Sequence, residues 1–315
     1  MALPGRSRRA KIAGVSGPIS FRLTLEYEGT RYRGFQEQKN ARTVAGELRA
    51  AIESAVGAAV ELGGAGRTDA GVHALEQVAH LRLPSAPKSL AALADEINER
   101  LPPDIHLREL STAPPRFHAR HDARQRSYVY QIARRRTALA KRFVWWVRRP
   151  LDERAMASAA ATLVGAHDFA RFCEKPEEQT STRVVVERAE VAAQGDLVLV
   201  RIAASHFLWK MVRRLVGALV EVGAGALAPD DFRALFESPG KGGFDAAAHT
   251  APPSGLFLER VIYDGDPALG ALEAPVPVAA TRARARDEPA ARAGGLSRPG
   301  KRKPPRHRRP GVRRP

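Results

Sequence analysis

Cysteine is almost absent from this chain, and long apolar runs are missing. One cysteine, Cys173, stands among 315 residues, so the sequence predicts neither a disulfide framework nor a thiolate metal site, and it favours a reducing cytoplasm. No run of about 18 apolar residues occurs, and the N-terminal segment lacks the apolar stretch of a signal peptide. The 9 histidines do not cluster at metal-ligand spacings, and no Ser/His/Asp arrangement stands out.

Acidic residues are scarce at both ends of the chain, whose net charge is +17. Residues 1–18 carry four basic side chains and no acid, and residues 282–315 carry thirteen against two acids, a net +11. Only about +2 of the total of +17 is left for residues 19–281. The ends predict a polyanionic partner. Their composition, rich in Arg, Pro and Ala, predicts disorder over residues 1–18 and 266–315.

The first half of the chain reads as strand, helix, strand, helix. Residues 19–27 alternate apolar and polar side chains, which is typical of a strand with one buried face. Residues 43–56 have apolar side chains at helical spacing behind Thr43 as a helix N-cap. A strand near 76–83 and a helix over 89–100 follow. This order predicts an α+β half of ferredoxin-like character over residues 19–112.

The second half, residues 113–265, repeats this theme. We predict its elements as a strand over 127–133, a helix from Asp152 to Gly165, a hairpin of 184–191 with 197–204, and a helix over 207–222. Two α+β halves of similar element order suggest an ancient duplication.

The loop GGAGRTDAGVHA, residues 63–74, places a single carboxylate, Asp69, among glycines. In an extended Arg67-Thr68-Asp69 the first and third side chains point to the same side. An arginine beside Asp69 would keep it ionised and fix its direction. An accessible ionised aspartate can act as a nucleophile or a general base. A turn with a surface ion pair is the alternative, and local physics alone favours it.

Arginines crowd residues 117–136, where Arg120, Arg124 and Arg126 precede Tyr128. Guanidinium groups bind phosphates, and tyrosine rings stack on unpaired bases. The alternatives are a solvated arginine face and a tyrosine that belongs to the core of the strand.

The predicted helix over 207–222 is mostly apolar, yet one polar stripe crosses it: Lys210, Arg213, Gly217 and Glu221. A charged side chain on an apolar helix usually needs a partner. Asp69 is one candidate partner for this stripe, and Glu221 on the helix itself is the other.

Taken together, residues 19–264 resemble a tRNA pseudouridine synthase of the bacterial TruA type. The most specific of the shared segments is the Asp69 loop. Eight segments recur in order: YEGTRYRGFQEQ (27–38), GAGRTDAGVHA (64–74), NERLPPDI (98–105), FHARHDARQRSYVY (117–130), GAHDFARF (165–172), TSTRVV (180–185), FLWKMVRRLVGALVEVG (207–223) and SGLFLERV (254–261).

The resemblance implies a role for five residues. Asp69 matches the essential aspartate, and Tyr128 matches the tyrosine that packs on the target uracil. Arg213 matches the arginine that pairs with the aspartate, and Arg67 the arginine that helps hold the flipped nucleotide. Leu256 falls in the apolar motif that lines the pocket.

The resemblance also implies a fold and a reaction. The fold is two α+β halves whose sheets join around a central basic cleft, with Arg120, Arg124 and Arg126 as candidates for contact with the RNA backbone. The enzyme is a homodimer that needs no cofactor or metal and isomerises uridines 38–40 in the anticodon stem-loop of tRNA. Trp209 and Lys210 depart from the family pattern, because histidine, tyrosine or asparagine is frequent at these positions.

Two alternative functions stay open at this point. One is a pseudouridine synthase of the same family with a different RNA target. The other is a tRNA-binding protein without activity, against which the intact Asp69, Tyr128 and Arg213 argue.

Overall fold

The computed structural model of the chain describes residues 18–237 and 243–278. Most of the two segments predicted to be disordered therefore lies outside the described residues. The exceptions are Pro18 and residues 266–278.

Within the described residues, ten strands form one sheet and five helices accompany it. None of these helices is both long and apolar enough to cross a membrane. In chain order the elements are β1 (Ile19–Tyr27), α1 (Val44–Val56), β2 (Glu61–Gly64), β3 (His73–Leu83), α2 (Leu90–Arg100), β4 (Ile105–Thr112), β5 (Gln125–Ala133), β6 (Trp145–Trp146), α3 (Glu153–Ala161), β7 (Gly165–Asp168), β8 (Arg183–Gln194), β9 (Leu197–Ala204), α4 (Met211–Gly223), α5 (Pro229–Glu237) and β10 (Leu256–Ile262).

The two halves of the sheet have the same strand order. The N-terminal half runs β4-β1-β3 with β2 also on β3, and the C-terminal half runs β10-β5-β9-β8, with β7 added beyond β8. Numbered within its own half, with the short strands β6 and β7 left out, each order reads fourth, first, third, second strand, as in a ferredoxin-like fold. The predicted α+β class with two ferredoxin-like halves is confirmed, and the two halves share one continuous sheet.

Strand β10 joins the two halves. It pairs in parallel with the start of β3, where Phe257 lies opposite His73, and it pairs antiparallel with β5. Strand β2 pairs with β3 further along, from Ala79 to Arg82. Because β1 occupies the other edge of β3, β2 and β10 share one edge. The loop of residues 65–72 leaves β2 at the gap between these two partners.

Polar side chains at the helix starts explain where the helices begin. Thr43 accepts a hydrogen bond from the amide of Gly46, and Ser89 does the same for Ala92. Asp152 accepts from two amides at the start of α3. Each cap satisfies backbone donors that have no partner within the helix, and the three predicted starts are confirmed.

Two predicted helix bounds are wrong. Helix α3 ends at Ala161 rather than near Gly165, because the amides of Thr162 and Leu163 turn to carbonyls three residues back and tighten the last turn. Helix α4 begins at Met211 rather than near residue 207, because Lys210 has a left-handed backbone with φ 62°, which no α-helix accommodates.

Residues 266–278, expected to begin a disordered tail, lie against the sheet. The guanidinium of Arg201 is 1% exposed, and it bonds both carboxylate oxygens of Glu259 and the carbonyls of Gly270 and Ala271. Two further amides of this segment donate to glutamine side chains of β5 and β8. The chain therefore stays in contact with the sheet for thirteen residues beyond the predicted boundary.

The polar stripe of α4 faces different partners along its length. Arg213 lies at the cleft described below, whereas Glu221 pairs with Arg149. Between them, Gly217 lies so close to the next segment that a Cβ atom there would stand 1.6 Å from the carbonyl oxygen of His249. The absence of a side chain at Gly217 thus lets this segment pack directly on the helix backbone.

We predict that Gly217→Ala destabilises the fold by about 1–3 kcal/mol, because the carbonyl of His249 must move to admit a methyl group. Alanine alone would favour the helix, so the sign of the change tests the packing. Urea unfolding measures it. Gly243→Ala is the matched control, since nothing lies within 4 Å of its Cβ position. Equal stability of the two variants would contradict the close approach at Gly217.

Candidate active site

A cleft of about 1330 Å³ lies at the gap on the edge of β3. Its walls come from both halves of the chain: residues 33–38 and 62–72 on one side, and residues 206–213 on the other. Its charged lining residues are mostly basic, namely Arg33, Arg49, Arg67, Arg120, Arg126, Lys210 and Arg213 against Glu37, Asp69 and Glu178. A cleft of this charge suits a polyanionic ligand.

Side chains of β1 and β3 hold the loop that carries Asp69. The hydroxyl groups of Thr68 and Tyr27 are 2.8 Å apart, and the side-chain amide of Gln77 donates to the carbonyl of Gly66 at 3.1 Å. Gly34 packs against this loop with φ 98°, where a Cβ atom would stand 2.5 Å from the carbonyl oxygen of Thr68. These contacts fix the backbone before the aspartate, and after it the amide of Gly71 donates to the carbonyl of Tyr32 at 3.3 Å.

Asp69 pairs with Arg213 across the two halves. The Oδ2 atom of Asp69 lies 3.3 Å from Nη1 of Arg213, and the two side chains are 23% and 15% exposed. Arg213 is itself oriented, because its Nε donates to the carbonyl of Ala251 at 2.7 Å. A half-buried guanidinium of fixed direction orients the carboxylate and places a positive charge beside it. The stripe on α4 therefore does supply the predicted partner for Asp69.

Tyr128 and Leu256 add an apolar wall beside this pair. Tyr128 lies on β5 and Leu256 begins β10, and both line the cleft. The ring of Tyr128 meets the edge of Phe207 at a centroid distance of 5.0 Å. Burial raises the pKa of Tyr128, and the nearby charges of Tyr27 and Asp69 raise it further, so its hydroxyl group stays protonated at neutral pH.

Three arginines of the cleft are exposed and make no side-chain hydrogen bond or ion pair with the described residues: Arg33, Arg67 and Arg120. Arg67 was expected to orient Asp69, but Arg213 does so instead. Arg33 was not singled out from the sequence, although it lies in the segment YEGTRYRGFQEQ. Guanidinium groups without a protein partner are free to bind phosphate oxygens.

Arg126 lines the cleft, but its guanidinium group is bound by protein carbonyls. Its guanidinium donates to four carbonyls, those of Ala65, Arg120, Ala123 and Ser205, at 2.6–3.0 Å. It therefore joins the Asp69 loop to the second half of the chain. Four of its five N–H donors are occupied, so little of this guanidinium is left for an RNA phosphate, and its contact with the RNA backbone stays a prediction.

Arg124 does not reach the cleft. Its side chain is exposed and pairs with Asp264, and it is absent from the cleft lining. Of the three arginines predicted to contact RNA from this segment, only Arg120 combines a place in the cleft with a free head group.

Within residues 18–237 and 243–278, no group of three His, Cys, Asp or Glu side chains is placed to hold a metal ion. Cys173 lies outside the cleft lining, and burial raises the pKa of its thiol. Besides the Asp69–Arg213 pair and the apolar wall, the cleft is lined by the carboxylates of Glu37 and Glu178 and by the imidazoles of His121 and His206.

Comparison with known proteins assigns the chain to a family. The family model described as tRNA pseudouridine synthase matches residues 24–122 and 159–264. The chain belongs to this family. Its matched residues include the Asp69 loop, Arg213 and Leu256, and they span both walls of the cleft.

Relatives within the family are similar over most of their length. The tRNA pseudouridine synthase A of Sinorhizobium fredii is 39% identical over 77% of this chain and 99% of its own. That of Nitrobacter hamburgensis is 42% identical with the same coverage. Among solved structures, a Cbf5-Nop10-Gar1 complex overlaps 63% of this chain and 54% of that chain, with 10% identity and a TM-score of 0.29. That overlap is too weak to support any argument about this chain.

We predict that Arg126→Lys lowers the free energy of unfolding by about 1–3 kcal/mol, because one ammonium group cannot serve all four carbonyls, of which that of Ala65 is buried, and leaves some without a donor. Denaturant unfolding measures the change. Arg120→Lys is the matched control, and its exposed side chain should alter stability by less than about 0.5 kcal/mol. The structural role of Arg126 would be refuted by two variants of the same stability.

Proposed function

We propose that this enzyme converts uridine to pseudouridine at positions 38–40 in the anticodon stem-loop of tRNA, with Asp69 as the reacting carboxylate and without a cofactor. The observation that carries the proposal is the pairing of Asp69 with Arg213 beside Tyr128, in a basic cleft built by both halves. As a tRNA pseudouridine synthase the chain is an isomerase, and its sites must serve a reaction that leaves the number of atoms unchanged.

The reaction breaks the N1–C1′ bond of uridine, turns the base and joins C5 to C1′. The hydrogen of C5 leaves as a proton and N1 gains one, so the composition of the nucleotide is conserved. The Asp69 carboxylate has three routes open to it: addition to the sugar, addition to the base, or removal of a sugar proton. Each route requires an ionised carboxylate within reach of the nucleotide, and the contact with Arg213 holds the Asp69 side chain in one direction in the cleft.

The target base must leave its stack before it can react. Extrusion costs a few kcal/mol, and stacking on an aromatic side chain offsets about 1–3 kcal/mol of it. Tyr128 and Leu256 offer the apolar surface, and the protonated hydroxyl group of Tyr128 adds no negative charge beside Asp69. The free guanidinium groups of Arg33, Arg67 and Arg120 are placed to bind the flanking phosphates.

The assembly and the compartment are part of the same proposal. We propose a homodimer, as the resemblance to the TruA type implies, and sedimentation measures its mass. A tRNA substrate and a single buried cysteine both suit the reducing cytoplasm.

We predict that Asp69→Asn lowers turnover at least about 100-fold, a loss typical of removing an acid–base or nucleophilic group. The change keeps the shape of the side chain and removes its charge, so folding and tRNA affinity should be retained. Release of tritium from tRNA labelled at C5 of uridine measures turnover, because C5 loses its hydrogen when it bonds to C1′.

Asp264→Asn is the matched control, since Asp264 pairs with Arg124 outside the cleft, and it should turn over at the rate of the unaltered chain. Undiminished turnover by the Asp69→Asn variant would remove Asp69 from the mechanism. Mapping of pseudouridine in cellular tRNA, with and without the gene, tests positions 38–40.

The basic C-terminal segment generates a second prediction. Residues 282–315 carry a net +11, and such a segment binds phosphates without reading sequence and releases counterions as it does so. Deletion of residues 279–315 should weaken tRNA binding at low salt and flatten the slope of log affinity against log salt. The deletion begins at 279 because residues 270–278 contact the sheet.

A tail of unchanged length with its Lys and Arg replaced by Gln serves as control, and it should behave like the deletion. Rates at saturating tRNA and the positions modified should stay the same in both variants. Parallel salt slopes for the full and shortened chains would show that the tail does not bind tRNA.

A further inference from the structure

Trp209 is an exposed aromatic side chain in the cleft. Four large hydrophobic side chains of the described residues are strongly exposed: Leu139, Val164, Val185 and Trp209. Trp209 is the aromatic one among them, is 45% exposed, and alone of the four lines the cleft. An aromatic ring exposed inside a cleft offers a face on which a flat ligand can stack, and no step of the proposed reaction uses this indole.

The backbone that presents Trp209 is strained and firmly held. Among the described residues, two residues other than glycine have a positive φ: Lys175 and Lys210. Lys175 follows Glu174 and Lys210 follows Trp209 in the chain. The amide of Glu174 donates to the carbonyl of Trp209 at 2.9 Å. Such strained backbone persists where the surroundings enforce it, and it gathers at ligand clamps. The indole is therefore presented by a rigid turn rather than by a loose loop.

A cation accompanies the indole. The ammonium group of Lys210 stands 5.4 Å from the centre of the Trp209 ring, within the range of a cation–π contact. It is also held 3.2 Å from the carboxylate of Glu174. Lys210 and Glu174 thus restrict the position of the ring, and little conformational entropy is left to lose when a flat ligand covers it.

The ligand chemistry follows from the setting. Every nucleobase has a π-face, and stacking on an aromatic side chain tolerates all four bases. The cleft is basic and serves RNA under the proposed function, on which this inference rests. The wall beside Asp69 already has its own aromatic residue, Tyr128, which is 7% exposed. We propose that Trp209 stacks on a second unpaired base of the bound tRNA, apart from the target uridine, and so positions the stem-loop in the cleft.

The chain permits a direct test because it has 3 tryptophans. The other two, Trp145 and Trp146, form β6 and lie outside the cleft. The double change Trp145→Phe and Trp146→Phe leaves Trp209 as the sole indole. Its emission is then recorded while tRNA is added to this chain in an Asp69→Asn background, which holds the substrate without converting it.

We expect quenching that saturates at the midpoint of tRNA binding measured by filter retention. Unchanged emission at saturating tRNA would overturn the stacking. Emission that is already that of a buried indole without RNA, and that shifts on dilution, would also overturn it by showing that a second copy of the chain covers Trp209.

Substitutions of Trp209 distinguish stacking by an aromatic ring from the burial of any apolar side chain. In the otherwise unaltered chain, Trp209→Leu should weaken tRNA binding at least about 5-fold, whereas Trp209→Phe, which keeps a ring, should weaken it less than about 2-fold. Equal affinity of the Leu and Phe variants would refute a role for stacking. Tritium release by the unaltered chain is measured separately. If tRNA is turned over while the emission of Trp209 stays unquenched, only this inference is refuted. If the emission is quenched but no tritium is released, the proposed reaction is refuted.

Discussion

Two strands pair along one edge of β3, β10 at its start and β2 further along. The position of the candidate site depends on this arrangement. Strand β10 pairs in parallel with the start of β3, so the first residues of both strands emerge at the same end of the sheet. The Asp69 loop enters β3 there, and Leu256 opens β10. Because β5 runs antiparallel to β10, it brings Tyr128 to the same place. The cleft is the space left where β2 ends and β10 begins.

The arginines of this chain divide by whether protein groups satisfy them. Arg126 and Arg201 are buried, and carbonyl or carboxylate oxygens surround both head groups, since an unpaired buried charge is costly. Arg33, Arg67 and Arg120 find no such partner among the described residues, and they line the cleft. Net charge therefore says little about where RNA binds. Exposed guanidinium groups in the cleft say more, because their donors face solvent and phosphate oxygens can replace the water there.

Local patterns predicted most elements, and long-range contacts explain what they missed. Alternation located β1, side-chain caps located the starts of α1 and α3, and apolar spacing located α2. The spacing of polar residues on α4 left Asp69 and Glu221 as alternative partners of the stripe, and only the resemblance to the TruA type paired Arg213 with Asp69. No local pattern distinguishes Arg126 from Arg120, because the carbonyls that occupy Arg126 lie up to 79 residues away. Residues 266–278 show no hydrophobic periodicity. Backbone carbonyls hold them against the sheet, and because every residue has a carbonyl, the sequence gives no sign of this contact.

The two ferredoxin-like halves explain why the aspartate and its arginine come from different parts of the chain. Asp69 belongs to the first half and Arg213 to the second, so neither half alone contains the ion pair. Arg126 ties the Asp69 loop to the second half through Ala65 and Ser205. A sheet formed by one half would leave the edge of β3 open, and an open edge invites pairing with another chain. Joining the halves closes this edge and, in the same step, assembles the carboxylate, its guanidinium and the apolar wall that faces them.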